Sequence, residues 1–415
     1  MNRRNVTFIT DSRIFPTVFK NSKTFDFAAF SEDVSHRVFL LPQSAASSRT
    51  LKAANHSLYV KHLNGSGVYP LTQSFVHHLL DAFNAELPSF SSASSKSITT
   101  DLVDFTQRVM FPASTNALFG RTFPTHIRKQ VFLFDEGFLY LYASLPSFVT
   151  KQYDDAIRES IAALSEMLDQ GMQDANALAV GQDEAAKSEG CDLFTRGAIA
   201  FSLLWGLQTN ATQAVFWCLA HLITYTTSDF QQRLIAEGRE GLRLSRDANG
   251  NLTATPDIAK LTEAPLLSSL FEETLRHVSG TLMMREVSVD AMIEDVETGR
   301  VFKVKKGDFV ALPARHLHRN KEVHDGPGEF RPERFVEKKA GRYELMPFGG
   351  GVSLCPGRFF ASHEIKAFVA VALQLFDFKV VDPLPGLHLA QYGVGVMPPT
   401  AAMNVEIHLK DEWVV

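Results

Sequence analysis

Apolar residues recur at intervals of three and four from Leu51 to Phe83 and again from Thr100 to Phe119, which predicts helices separated by a solvated, serine-rich loop at Ser89 to Ser97. The run Phe132 to Phe148 is strongly aromatic, as an ordinary core helix would be, whereas the polar stretch Ala175 to Gly190 reads as a loop. Asp192 to Tyr225 then runs for more than thirty residues without proline and with apolar positions nearly all round. That pattern predicts a buried helix about 50 Å long, crossing the whole domain. Its middle breaks the apolar pattern with Gln208, Thr209, Asn210 and Thr212. Buried polar groups left unpaired cost about 1 to 3 kcal/mol each, so this cluster needs partners or a wet cavity. Pro265 to His277 is an amphipathic helix.

Strand-like patterning appears elsewhere. Val6 to Thr10 reads as a short strand and Leu282 to Val289 as extended chain; R-V-F-K-V and F-V-A-L-P form a hairpin around K-K-G-D. Gly393 to Pro399 and Met403 to Leu409 read as a second strand pair. The expected fold is therefore mainly α with a small β region. No long polar linker divides the chain, so residues 1–415 are expected to form one domain.

The chemistry concentrates at Pro347 to Phe378. A glycine run, Gly349 to Gly351, enters a single cysteine, Cys355, and helical periodicity begins just after Pro356. Proline suits a first helical turn, which puts Cys355 where backbone N–H groups and the positive end of a helix dipole favour thiolate. Glycines let the backbone approach a flat ligand or the sulfur itself. A thiolate braced by N–H donors on one side and open on the other is what haem iron needs from a cysteine ligand.

Composition narrows the partners. Net charge is −5 with no basic block, which argues against nucleic acid and for small molecules. The three cysteines, Cys191, Cys218 and Cys355, lie far apart and suggest neither a disulfide framework nor a zinc knuckle. Phenylalanine outnumbers tyrosine 33 to 8, supplying apolar surface without hydrogen-bond demands, enough to line a lipophilic pocket. No apolar run reaches the length of a membrane span.

Phe348, Gly351, Cys355 and Gly357, in F-x-x-G-x-x-x-C-x-G and followed by Ala361, resemble the haem-binding signature of the cytochrome P-450 monooxygenases. Glu273 and Arg276, three apart on one helical face, precede Arg334 in P-E-R-F, and all fall in the family's order before Cys355. Within the family, L-W-G-L-Q-T-N in the long helix and G-V-G-V-M-P-P near the end are most similar to the branch holding sterol 7-alpha- and 12-alpha-hydroxylases and prostacyclin synthase.

The resemblance implies haem b as cofactor, with Cys355 as its axial ligand and Phe348, Gly351, Gly357 and Ala361 around it. It implies that Arg285 meets a haem propionate and that Glu273, Arg276 and Arg334 form a buried structural network. Asn210 and Thr209 stand where most members carry the alcohol and acid that deliver protons. Gln208, Thr281, Leu282, Val396 and Met397 are expected at the substrate. Ser353 replaces the usual arginine two residues before the cysteine, so one propionate contact is expected to be missing. The implied activity is hydroxylation of a steroid, terpenoid or similar lipophilic molecule with O₂ and electrons from an NADPH-dependent reductase. Isomerisation or dehydration of a peroxide and non-catalytic haem binding stay open as alternatives. The run Phe132 to Phe148 falls near the family's substrate-access lid, whose rim can touch a membrane, so a site on the cytoplasmic side, peripheral to the endoplasmic reticulum, is expected. The chain is also expected to lack the family's N-terminal anchor, first helix and first strand.

Overall fold

The frame of the molecule is the helix Leu193–Tyr225, 33 residues long, in a computed structural model that describes residues 5–91, 96–295, 298–341 and 343–413. Asp192 starts it by accepting the Thr195 N–H at 2.7 Å, and Thr226 ends it in extended conformation. Helices Leu102–Phe119, Ser147–Gln170, Pro265–Val278 and Arg358–Leu375 pack around it. That surrounds the helix with apolar partners and explains why its sequence is apolar on every side.

A four-stranded sheet stands to one side in the order Val6–Phe8, Phe309–Pro313, Leu282–Val287, Phe25–Asp26. Val6 pairs with Phe309 in parallel, and Arg285 pairs with Val310 antiparallel. Phe309–Pro313 is buried along its whole length because it is an inner strand, and a second apolar cluster including Phe15, Phe19, Met283 and Val310 packs on the sheet. A three-stranded sheet joins Phe376–Val380, Asn404–Leu409 and Ser97–Asp101.

Five local expectations are corrected. Ala177–Ser188 is a helix rather than a loop: Asn176 caps it, its alanine-rich sequence favours helix, and Leu178, Ala179 and Ala186 are buried against neighbours. The stretch from Leu51 to Phe83 is two helices, Arg49–Leu63 and Tyr69–Ser91, broken at Gly65–Val68. The serine-rich loop is shorter than expected, since the second of these helices reaches Ser91 and Ser97–Asp101 is a strand; residues 92–95 lie outside those described. Arg300–Val304 pairs with Ala291–Asp295 while Phe309–Pro313 enters the four-stranded sheet, so the expected hairpin does not form. Gly393 to Pro399 makes only isolated bridges, Thr281 to Gly393 and Ser279 to Val396 among them, and Asn404–Leu409 takes other partners.

Candidate active site

The helix after the cysteine loop begins at Arg358 with Gly357 as its cap, two residues beyond Pro356. Cys355 N–H donates to the Phe348 carbonyl at 3.0 Å, closing the loop, and the backbone N–H groups of Gly357 and Arg358 are directed at the sulfur. Burial pushes the Cys355 thiol up, while these N–H groups and the Arg358 charge pull it down without cancelling the burial effect. The loop and helix start therefore do not by themselves make Cys355 a thiolate, contrary to the expectation from sequence; coordination to a metal would, since a coordinated thiol is deprotonated outright. Gly349 and Gly351 sit at φ of +77° and +69°, and a Cβ on Gly351 would lie 2.9 Å from the Phe19 ring. Glycine is required there both by the dihedral angle and by the closeness of that ring.

The loop forms one wall of a cavity of about 440 Å³. Leu207, Asn210 and Ala211 of the central helix line it as well, together with Val394 to Val396. Arg285 also lines it. This guanidinium is buried, donating to the Gly350 carbonyl at 3.0 Å, to Ser353 Oγ at 2.5 Å and to its neighbour's carbonyl, Met284, at 2.7 Å. Among the described residues no carboxylate lies within ion-pair distance of it, and burial lowers its pKa to about 10. Its charge is met by the more distant Asp26 carboxylate and by the faces of Phe19 and Phe27, 5.5 and 5.3 Å away, a costly position for a buried cation unless a nearer anion is supplied. An apolar slot lined by a cysteine loop and a helix, with a guanidinium that has no carboxylate in ion-pair reach, fits a planar macrocycle carrying carboxylates.

A sequence model of the family described as Cytochrome P450 matches residues 149–405. The chain belongs to the cytochrome P450 family. Its curated relatives include the rat "25-hydroxycholesterol 7-alpha-hydroxylase", 26% identical over 95% of this chain and 98% of that protein. The rabbit "7-alpha-hydroxycholest-4-en-3-one 12-alpha-hydroxylase" is 26% identical over 97% and 84% of the two chains, and the "Cholesterol 7-alpha-monooxygenase" of Cricetulus griseus 27% over 98% and 85%. This P450 is thus a haem-thiolate monooxygenase of lipophilic molecules that uses a reductase partner and binds haem b. When bound, that haem supplies reductive activation of dioxygen and insertion of one oxygen atom into a C–H bond.

Phe348, Gly357 and Ala361 line the P450 cavity together with Cys355, whereas Gly351 shapes the loop behind it. Thr281, Leu282 and Val396 line it as well, with Thr281 Oγ1 donating to the Pro347 carbonyl at 3.0 Å. Besides Gly351, three expected site residues do not. Thr209 is buried and donates to the Trp205 carbonyl at 3.1 Å; Gln208 is buried with Oε1 accepting from Thr212 at 3.4 Å. Neighbours on a helix are rotated by roughly 100°, so Asn210 can face the cavity only if Thr209 turns away. Met397 is fully buried one residue past Val396, and its carbonyl accepts the Trp217 indole N–H at 2.8 Å.

Asn210 is anchored. Its Oδ1 accepts the Val396 N–H at 2.7 Å, which fixes the amide orientation and leaves Nδ2 as the donor available at the cavity. Beneath the loop, Arg276 Nε and Nη2 grip Glu273 at 2.7 and 2.9 Å, and Arg334 Nε reaches Glu273 Oε2 at 2.9 Å. Arg276 also donates to the carbonyls of His318, Pro327 and Glu329. Burial alone would raise the Glu273 pKa, but the hydrogen bonds from Arg276 and its other partners hold it well below the carboxylate range.

Among the cavity-lining residues that escaped the sequence reading, two carry buried polar groups. Glu364 is buried, accepts from Ser114 Oγ at 2.9 Å, and is pushed far toward the neutral acid by desolvation. Its position three residues after Ala361, on the same helical face, was the available signal. Ser279 Oγ is buried beside the cavity with no partner among the described residues, and nothing in its sequence context marks it.

Proposed function

We propose that this P450 hydroxylates a steroid or a comparably rigid lipophilic molecule, and that Asn210 orients a water or a substrate oxygen beside the reaction centre. The observation that carries this reading is an apolar cavity lined both by Cys355 and by one anchored amide donor, Asn210. The names of the relatives, all acting on sterols, point to the same substrate class. An amide cannot relay a proton as an alcohol does, but Nδ2 can hold the water that does so, and the apolar walls keep other water out.

We further propose contact with a membrane surface of the endoplasmic reticulum. Among the described residues no helix is long and apolar enough to cross a membrane. Tyr140, Leu145 and Phe148, at and beyond the end of helix Arg128–Tyr142, are exposed together, Phe148 at 87%. An apolar tip of this kind suits shallow insertion among headgroups.

The test is a substrate-binding difference spectrum against a sterol panel, followed by turnover with NADPH and a reductase. Sterol binding with NADPH-dependent, O₂-dependent hydroxylation is expected. Rearrangement of a lipid peroxide with no need for NADPH would replace the reading with an isomerase, and haem binding with neither activity would leave a non-catalytic protein.

A further inference from the structure

On helix Tyr69–Ser91, away from the cavity, His77, His78 and Asp81 bring three ligand atoms within 4.8 Å of one another. Asp81 follows the histidines by four and three residues, so the helix itself stacks the carboxylate beside both rings. His77 Nε2 lies 3.6 Å and His78 Nδ1 3.4 Å from Asp81 Oδ2. Two ligands on a tetrahedral zinc ion with bonds of about 2.0 to 2.2 Å are separated by roughly 3.3 to 3.5 Å, so the carboxylate oxygen already sits near an edge length from each nitrogen.

The group now facing these acceptors is a cation. Arg121 Nη2 lies 2.9 Å from His77 Nε2 and 3.9 Å from Asp81 Oδ2. A guanidinium has only donors, so His77 Nε2 must be accepting. The lone pair a metal needs is therefore on the nitrogen that faces the cluster. His78 is buried, whereas His77, Asp81 and Arg121 are at least half exposed, so the guanidinium can swing away.

We propose that His77, His78 and Asp81 form a binding site for a divalent transition-metal ion of the zinc class, with water completing the coordination and Arg121 as the competing cation. Two imidazoles and one carboxylate are a donor set that suits zinc and excludes calcium, which takes oxygen ligands. The arrangement predicts opposite signs for two classes of variant. Removing a ligand weakens binding, and removing Arg121 strengthens it.

The experiment is titration of the haem-loaded protein with Zn²⁺ at constant pH, read by calorimetry and by the rise in melting temperature. One saturable Zn²⁺ per chain is expected, weakened about 10-fold to 100-fold in His77→Ala and in Asp81→Asn, both at exposed positions. Arg121→Gln is expected to tighten binding several-fold. Absence of a saturable site overturns the proposal. So does a site that His77→Ala and Asp81→Asn leave unchanged, or one that Arg121→Gln weakens.

Discussion

Asn210 carries two tasks on one side chain. Oδ1 completes the Val396 N–H, and a Cβ on Gly395 would lie 2.1 Å from that same oxygen, so amide and loop are shaped to each other. Asn210→Leu should strand the Val396 N–H, cost about 1 to 3 kcal/mol in stability, and lower product per NADPH by about 10². Asn210→Asp keeps an acceptor for Val396 and a group able to carry a proton, so it should fold normally and stay coupled. Thermal melts and the ratio of product to NADPH consumed separate the two effects. Full coupling in Asn210→Leu would confine the amide to structure. Cys355 is the second decisive residue: Cys355→Ala is expected to abolish the thiolate band of the reduced CO adduct, and a retained band would remove Cys355 as ligand.

Between elements, buried charge joins parts distant in sequence. Glu273, on helix Pro265–Val278, accepts from Arg276, Arg334 and the Arg331 N–H, so one carboxylate ties that helix to the segment preceding the cysteine loop. Deleting it leaves the buried Arg276 guanidinium and the partly buried Arg334 without their anion. Glu273→Ala should lose about 3 to 5 kcal/mol and release haem, measured by denaturant unfolding and the haem-to-protein ratio. A stable, haem-loaded variant would contradict this. A second link joins helix Arg128–Tyr142 to the central helix: Asp135 Oδ1 accepts the Trp205 indole N–H at 2.8 Å, and Phe138 stacks on Trp205 at 4.7 Å. Burial raises the Asp135 pKa to about 7 from the ordinary 3.8 of an aspartate. Because the folded value is the higher one, the folded state holds the proton more tightly; the resulting stability is present below about pH 4 and lost as pH rises through 7. Asp135→Asn retains the acceptor and does not titrate. It should therefore be more stable than the parent at pH 8, with the gain shrinking toward pH 4 in pH-resolved melts; a gain independent of pH would exclude this cause.

Across the whole molecule, the cavity lies inside the protein and the apolar tip on its surface. Phe148→Asp combined with Leu145→Asp should reduce sedimentation with phospholipid vesicles by about 10-fold while leaving the haem spectrum unchanged, because both side chains project into solvent. Unchanged partitioning would move membrane contact elsewhere. The sequence by itself determined what is encoded in short spacing: the central helix from its apolar periodicity, the cysteine loop from its glycines and Cys355, and the Glu273 and Arg276 pair from a three-residue interval on one helix. Only the tertiary structure decided which of Gln208, Thr209 and Asn210 faces the cavity, that Phe309–Pro313 leaves its neighbouring strand for another sheet, and that Arg285 is buried with Ser353 Oγ as a partner. Each of these depends on contacts between residues far apart in the chain. Helical phase is set by what packs around the helix, strand pairing by which edge is free, and the burial of a charge by the walls that close over it.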